Sequence, residues 1–209
     1  AVKSRMLNTG QSCIAAKRFI VEESISEEFI ELIKSHLSKM VIGNPSKANT
    51  QIGPLARNDL VEELDKQVKI SINLGAKLLY GGDKMDCKGF YYEPTILTNV
   101  KENMPIFHQE AFGPVFAIIT FKTEKEAIKI ANKSKYGLGA TIWLNDLENA
   151  KAISKQIDSG MVAINEMMKS DPKLPFGGIK LSGYRKELSE MGIKEFVNAK
   201  TIVINKINE

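Results

Sequence analysis

A cysteine set among small and polar residues, Asn8-Thr9-Gly10-Gln11-Ser12-Cys13, is the first stretch of this sequence with chemistry in it. It stands before a run that reads as a strand, where backbone N–H groups can face the sulfur, and such a thiol becomes a nucleophile if it gains thiolate character. Taken alone, Cys13 reads as a small buried hydrophobe. The second stretch, Gln109-Glu110-Ala111-Phe112-Gly113-Pro114, sets one carboxylate before an aromatic ring and a Gly-Pro turn. Ligand sites in open α/β sheets gather at strand ends. A carboxylate there can accept hydrogen bonds from a pair of sugar hydroxyls, although alone it reads as a solvated loop residue. The third stretch is Pro175-Phe176-Gly177-Gly178-Ile179-Lys180-Leu181-Ser182-Gly183. Its glycines permit close backbone approach, and Phe176 stands where a pocket wall would be.

Other chemistry is bounded by what the chain has. Cys13 and Cys87 are the two cysteines, far apart and in dissimilar surroundings, so no disulfide framework is expected and a reducing, cytoplasmic setting follows. Cys87 lies in a charged loop without a candidate base and is assigned no role. His36 and His108 have no cysteine or carboxylate neighbours at metal-ligand spacing, so no metal site is expected. His36 reads as solvated on a helix margin, and His108, although close to Glu110, reads as a loop histidine. Neither a phosphate-cradling G-x-x-x-x-G-K-[ST] loop nor a G-x-G-x-x-G turn occurs.

Positioning these residues requires elements, and strand and helix signals alternate. Residues 18–21 read as a strand. Ser26 precedes Glu27-Glu28, and Phe29, Ile33, Leu37 and Met40 recur at helical spacing until Gly43-Asn44-Pro45. Leu60, Leu64, Val68 and Ile72 mark a second amphipathic helix. Strands are expected over residues 77–80, 91–97, 115–121, 140–144 and 161–164. Thr123-Glu124-Lys125-Glu126 has the capping-box pattern and opens a helix through Asn132; Asn145 can cap another over residues 146–157. The order predicts an α/β fold, an open and mainly parallel sheet covered by helices, its strands apolar on both faces. Residues 200–205 read as a final exposed strand, suited to pairing with another chain.

With 43% hydrophobic and 26% charged residues among 209, the chain can bury a core. Its net charge of +4 is dispersed, which does not predict a nucleic-acid or membrane-surface partner. The run Val115-Phe116-Ala117-Ile118-Ile119 is too short to cross a bilayer. The first residue is alanine with no apolar leader behind it, which reads as a chain beginning mid-protein or a processed one.

The three stretches together, in this order and at these separations, resemble the C-terminal half of the NAD(P)-dependent aldehyde dehydrogenase superfamily. Gly10-Gln11-Ser12-Cys13 matches its Gly-Gln-x-Cys, Glu110 to Pro114 its Glu-x-Phe-Gly-Pro, and Pro175 to Gly183 its Pro-Phe-Gly-Gly-x-Lys-x-Ser-Gly. Asn8-Thr9-Gly10-Gln11 with Ala15-Ala16-Lys17-Arg18-Phe19 looks most like the succinate-semialdehyde dehydrogenases. The resemblance implies that Cys13 attacks an aldehyde to give a thiohemiacetal, its oxyanion held partly by the Cys13 N–H. Hydride then passes to NAD or NADP, and the thioester left on sulfur is hydrolysed. By position Glu110 would bind the nicotinamide-side ribose, Phe112 would press on the nicotinamide, and Phe176 would line the aldehyde pocket.

The resemblance further implies a catalytic domain over residues 1–196 and a terminal oligomerisation strand over 197–209, in a homo-oligomer. The family's general-base Glu and cofactor domain lie upstream of the cysteine, where this chain has twelve residues. A fragment lacking both, inactive alone, is therefore expected. Two departures from the family pattern stand out. Leu7 occupies the place where several succinate-semialdehyde enzymes have an Arg, with Arg5 nearby but not equivalent, and Arg185 replaces a usual Gly. The alternatives are a sister branch acting on glyceraldehyde 3-phosphate or another aldehyde, and a non-catalytic assembly module in which Cys13 is inert.

Overall fold

The computed structural model describes residues 1–205. A single helical turn, α1 (Val2–Arg5), precedes the Cys13 segment, which runs into β1 (Arg18–Glu22). Helix α2 (Ser26–Leu37) carries Glu27 and Glu28 in its first turn, where free N–H groups favour negative charge. Its apolar row buries Ile33 and Leu37; the helix ends there, earlier than the Gly43-Asn44-Pro45 signal, and Met40 packs on the same cluster from beyond its end. Helix α3 (Asn58–Asn73) buries Val61, Leu64 and Val68 on one face. Then come β2 (Lys77–Tyr80), β3 (Thr95–Thr98), the turn α4 (Pro105–His108), β4 (Val115–Phe121) and α5 (Glu124–Asn132). The strand expected over 91–97 is shorter, because the chain makes only an isolated bridge at Tyr92 before Pro94, which has no N–H to donate to a ladder.

These strands form one sheet in the order β1-β4-β3-β2. The pairs β1/β4 and β3/β4 are parallel, and β2 joins the edge antiparallel. Successive side chains of a strand face opposite sides, and both sides are covered. Val115, Ala117 and Ile119 of β4, with Leu97 of β3, join one apolar cluster with α3 and α4; Phe116, Ile118 and Ile96 join the other with Met6, Phe19 and α2. This is the continuous apolar reading expected of a buried parallel strand. Each of these larger side chains contributes about 1.5–3 kcal/mol on burial. Arg18 at the start of β1 donates to the carbonyls of Ile130 and Ala131, both at 2.8 Å, and so binds the C-terminal end of α5 to the sheet.

The second part of the chain differs from expectation. Strands β5 (Tyr136–Gly137), β6 (Ala140–Ile142), β7 (Val162–Ile164) and β8 (Ile179–Lys180), with helices α6 (Leu147–Ser154) and α7 (Ser189–Lys194), do not extend the main sheet. β6 pairs in parallel with β7, and β5 pairs antiparallel with β8, as two separate ladders. All residues of β6 and β7 are only half-buried, so the core does not continue across them. The residue that caps α6 is Asp146, whose carboxylate accepts from the N–H groups of Glu148 and Asn149, and not Asn145. At α5 the Thr123 hydroxyl accepts from Glu126 N–H as expected, but the Glu126 carboxylate takes the Lys122 N–H one residue further back.

Among the described residues the strand expected over residues 200–205 forms no ladder. Ile202, Val203 and Ile204 are more than two-thirds exposed. The remainder of the expected terminal segment, 206–209, lies outside the described residues. Among the described residues no helix is long and apolar enough to cross a membrane.

Candidate active site

The site is built from the loops that feed β1 and β4. These strands are parallel neighbours, with Arg18 opposite Ala117, so the segments leading into them arrive at the same end of the sheet. The segments that carry Cys13 and Glu110 meet for that reason, with Gly113 N–H donating to Gly10 O at 3.3 Å. The end is the amino-terminal one, the opposite of the usual crevice at the carboxyl ends of strands in open α/β sheets.

Cys13 is exposed and free, as is Cys87. The expectation of a small buried cysteine is overturned, because the loop before β1 turns outward instead of entering the core. Three successive residues of that loop, Asn8, Thr9 and Gly10, have φ of 50°, 56° and 78°. For a β-branched threonine this left-handed backbone costs on the order of 1–3 kcal/mol and persists only where the surroundings enforce it. They do so here. Thr9 Oγ1 accepts from Gly53 N–H at 3.1 Å. Gln11 accepts from Ala56 N–H at 2.8 Å and donates to Pro54 O at 3.2 Å. At Gly10 any Cβ would stand 2.1 Å from the Gly113 carbonyl oxygen, so the glycine permits the Cys13 loop to touch the Glu110–Gly113 segment directly.

Arg5 reinforces that contact. It is fully buried, and its guanidinium donates to the carbonyls of Ala16 (2.9 Å), Gly10 (2.7 Å) and Ala111 (3.1 Å), while its Nε has no partner among the described residues. Burial lowers its pKa to about 10 despite the opposing effect of Glu110. It is shut away from solvent and both of its terminal nitrogens donate to backbone oxygens, so Arg5 does not supply the carboxylate grip that Leu7 also lacks.

Lys17 completes the junction. Its Nζ donates to Ser12 O at 3.1 Å, Cys13 O at 3.2 Å and Ala15 O at 3.2 Å, and pairs with Glu110 Oε1 at 3.3 Å. It also sits 5.0 Å from the centre of the Phe112 ring, within cation–π range. Burial, and then the nearby charge of Arg5, hold its pKa below that of an ordinary lysine, and Glu110 opposes them. One ammonium therefore touches the cysteine loop, the carboxylate and the aromatic ring.

Glu110 and Phe112 are half-buried and open onto a cavity of about 440 Å³, walled by Leu60, Glu63, Leu64 and Gln67 of α3 and by Lys135 and Tyr136. A carboxylate with one oxygen paired to a lysine, beside a flat ring on the wall of a cavity this size, suits a ribose diol and a planar heterocycle. Phe176 stands apart. It exchanges backbone hydrogen bonds with Glu187, and its turn leads into β8, which pairs with Tyr136 on the far wall of the cavity. None of its recorded hydrogen bonds reaches the Cys13 loop. His108 is exposed at the end of α4. Among the described residues no group of three or more His, Cys, Asp or Glu side chains could hold a metal ion. Arg185, where a glycine was expected, does not have a left-handed backbone, and its guanidinium pairs with Glu195.

The structure brings together the segments of Cys13, Glu110 and Phe112, which the sequence had singled out, and adds Arg5 and Lys17, which it had not given a place there. Their partners are backbone oxygens and residues brought near by sheet pairing, which no local pattern encodes.

Comparison with known proteins adds to this geometry. The profile of the aldehyde dehydrogenase family matches residues 1–202. The chain is 48% identical over 204 residues to a protein of Synechocystis sp. named "probable succinate-semialdehyde dehydrogenase (NADP(+))", covering 98% of this chain and 45% of that protein. It is 43% identical over 207 residues to a succinate semialdehyde dehydrogenase (NAD(P)+) of Escherichia coli, covering 99% and 45%. Its fold superposes with a TM-score of 0.94 on the crystal structure of succinic semialdehyde dehydrogenase from Streptococcus pyogenes in complex with NADP+, at 42% identity over 97% of this chain and 45% of that one. The chain thus spans less than half the length of these relatives.

Proposed function

Because this chain belongs to the aldehyde dehydrogenase family, we propose that it is the nucleophile-bearing part of an enzyme that oxidises a small aldehyde, succinate semialdehyde, to its carboxylic acid. The observation that carries this reading is the junction at Lys17. It joins two motifs far apart in sequence, one with a thiol and one with a carboxylate and a ring, beside a cavity large enough for part of a dinucleotide.

Cys13 Sγ, as thiolate, forms a bond to the carbonyl carbon while the C=O π pair moves to oxygen, and the Cys13 N–H donates to that oxyanion. NAD or NADP, when bound, supplies the hydride acceptor. The acyl group is then left on Cys13 as a thioester. Water adds to it, the C–S bond breaks, the carboxylic acid departs and the thiolate returns. Glu110 would bind the ribose hydroxyls, Phe112 would press on the heterocycle, and Phe176 would wall the aldehyde pocket. The base that takes the proton from water is placed in the family's upstream part, and the 209-residue chain by itself is expected to be inactive. The exposed apolar residues 202–204 are assigned to contact with another subunit or with that upstream part.

The test is made on the intact gene product. Cys13→Ser should remove aldehyde-dependent reduction of NAD(P), and iodoacetamide should label Cys13 faster than Cys87. Retained turnover in the variant ends the dehydrogenase reading, and equal labelling of the two thiols favours an assembly module. Indifference to a carboxylate on the aldehyde would exclude succinate semialdehyde and favour a sister-branch substrate such as glyceraldehyde 3-phosphate.

A further inference from the structure

The contacts of Lys17 bear on the direction of one N–H bond. Among the described residues no peptide bond is cis, and in a trans peptide the C=O of one residue and the N–H of the next point to opposite sides of the same plane. Lys17 Nζ holds the Ser12 carbonyl at 3.1 Å, so the N–H of Cys13, in that same plane, points away from the ammonium. The Cys13 carbonyl is held as well, at 3.2 Å, which fixes the plane on the other side of the Cys13 Cα. Among the described residues the Cys13 N–H donates to no acceptor, and Cys13 itself is exposed. The donor is therefore free on the open side of the loop while its carbonyls are gathered on the closed side.

We propose that Lys17 is a positioning residue which, by holding the Ser12 and Cys13 carbonyls, aims the Cys13 N–H at the oxygen that becomes negative when Sγ adds to an aldehyde. This rests on the dehydrogenase reading above and adds a residue to it. When the S–C bond forms, the carbonyl π pair moves to oxygen, and that charge is met by a donor already oriented. No reorganisation is then needed at the moment of reaction. The ion pair with Glu110 and the contact with Phe112 hold Nζ in place and make the aim of the donor dependent on the cofactor-facing segment. The charged and titratable groups that face Nζ are Arg5, Glu110 and Cys13. Ala15 N–H also donates to Ser12 O, at 3.1 Å, so the turn survives in outline without Lys17 and loses its fixed tilt.

Two reactions of the same sulfur separate this role from others. Aldehyde addition builds an oxyanion, whereas alkylation by iodoacetamide displaces iodide and builds none. In the intact gene product, Lys17→Met should lower kcat by about tenfold to a hundredfold, somewhat below the loss of a whole oxyanion donor. Iodoacetamide labelling of Cys13 should stay within about twofold of wild type, since an SN2 displacement does not use that donor. Lys17→Arg, which keeps charge and donors, should recover part of kcat; if Lys17→Met does not fold, Lys17→Gln is read in the same way. An unchanged kcat overturns the proposal. So does a parallel fall in turnover and labelling, which would mean that Lys17 activates the thiol or merely supports the fold. An inactive wild type, or an active Cys13→Ser, would instead overturn the dehydrogenase reading and this inference with it.

Discussion

Gly10 lies where two segments of the site touch, and its role can be separated into backbone strain and close approach. At φ of 78°, alanine incurs roughly 1–2 kcal/mol of left-handed strain, and its Cβ would also collide with the Gly113 carbonyl at 2.1 Å. Gly75, at φ of 103°, has nothing within 4 Å of such a Cβ. Gly10→Ala should therefore destabilise the protein by several kcal/mol, beyond the ~1 kcal/mol expected of Gly75→Ala from strain alone. Thermal unfolding of the two variants checks this, and equal shifts would show that the approach at Gly10 is loose. At this scale the candidate groups stood out in the sequence because their types declare chemistry: a thiol, a carboxylate, a ring beside glycines. Arg5 and Lys17 were not, since a cation next to a strand looks the same whether it faces water or the carbonyls of a loop. The exposure of Cys13 was equally hidden, being decided by three left-handed residues of which only one is a glycine.

Elements followed the periodicity where burial is one-sided or complete, as in α3 and β4, and departed from it where a single side chain ends or starts the element. Asp146 displaced Asn145 as the cap of α6 because its carboxylate reaches two N–H groups at once. The strand expected from residue 91 starts only at Thr95, and before it Tyr92 makes an isolated bridge and serves as a tie between elements. Tyr92 is buried, and its hydroxyl lies 3.2 Å from Asp65 Oδ1 on α3 and 3.1 Å from the Gly82 carbonyl after β2. Burial, then the negative charge of Asp65, raise its pKa well above the ordinary value of a phenol. Below about pH 10 the phenol is protonated in both folded and unfolded chains and the tie is intact. Above it the unfolded chain releases the proton while the folded one retains it, so stability falls as pH rises. Urea unfolding between pH 8 and 11 should show that fall, and Tyr92→Phe should flatten it while costing about 1 kcal/mol at neutral pH. A slope that is the same in both proteins would remove Tyr92 as its source.

For the molecule as a whole, the α/β class and the parallel character of the main sheet were legible from the alternation of elements. The division into one four-stranded sheet and two small ladders was not, because strands of two or three residues leave almost no hydrophobic pattern. The same part of the chain exposes Tyr184, Phe196, Val197 and Val203. If residues 202–204 contact another subunit, deletion of residues 198–209 from the intact gene product should lower its mass by light scattering. An unchanged mass would end that assignment.

The parallel pairing of β1 with β4 also acts as a gauge. A ladder can slip only in whole residues, about 3.3 Å each, and a slip of one turns every buried side chain to the wrong face. The smallest slip that returns each side chain to its own face is two residues, roughly 6.6 Å, which is twice the 3.3 Å between Lys17 and Glu110. No smaller change in that spacing can come from the register of the ladder. The apolar residues of β4 thereby set a length in the candidate site, and substitutions that loosen them should appear as misalignment before they appear as unfolding.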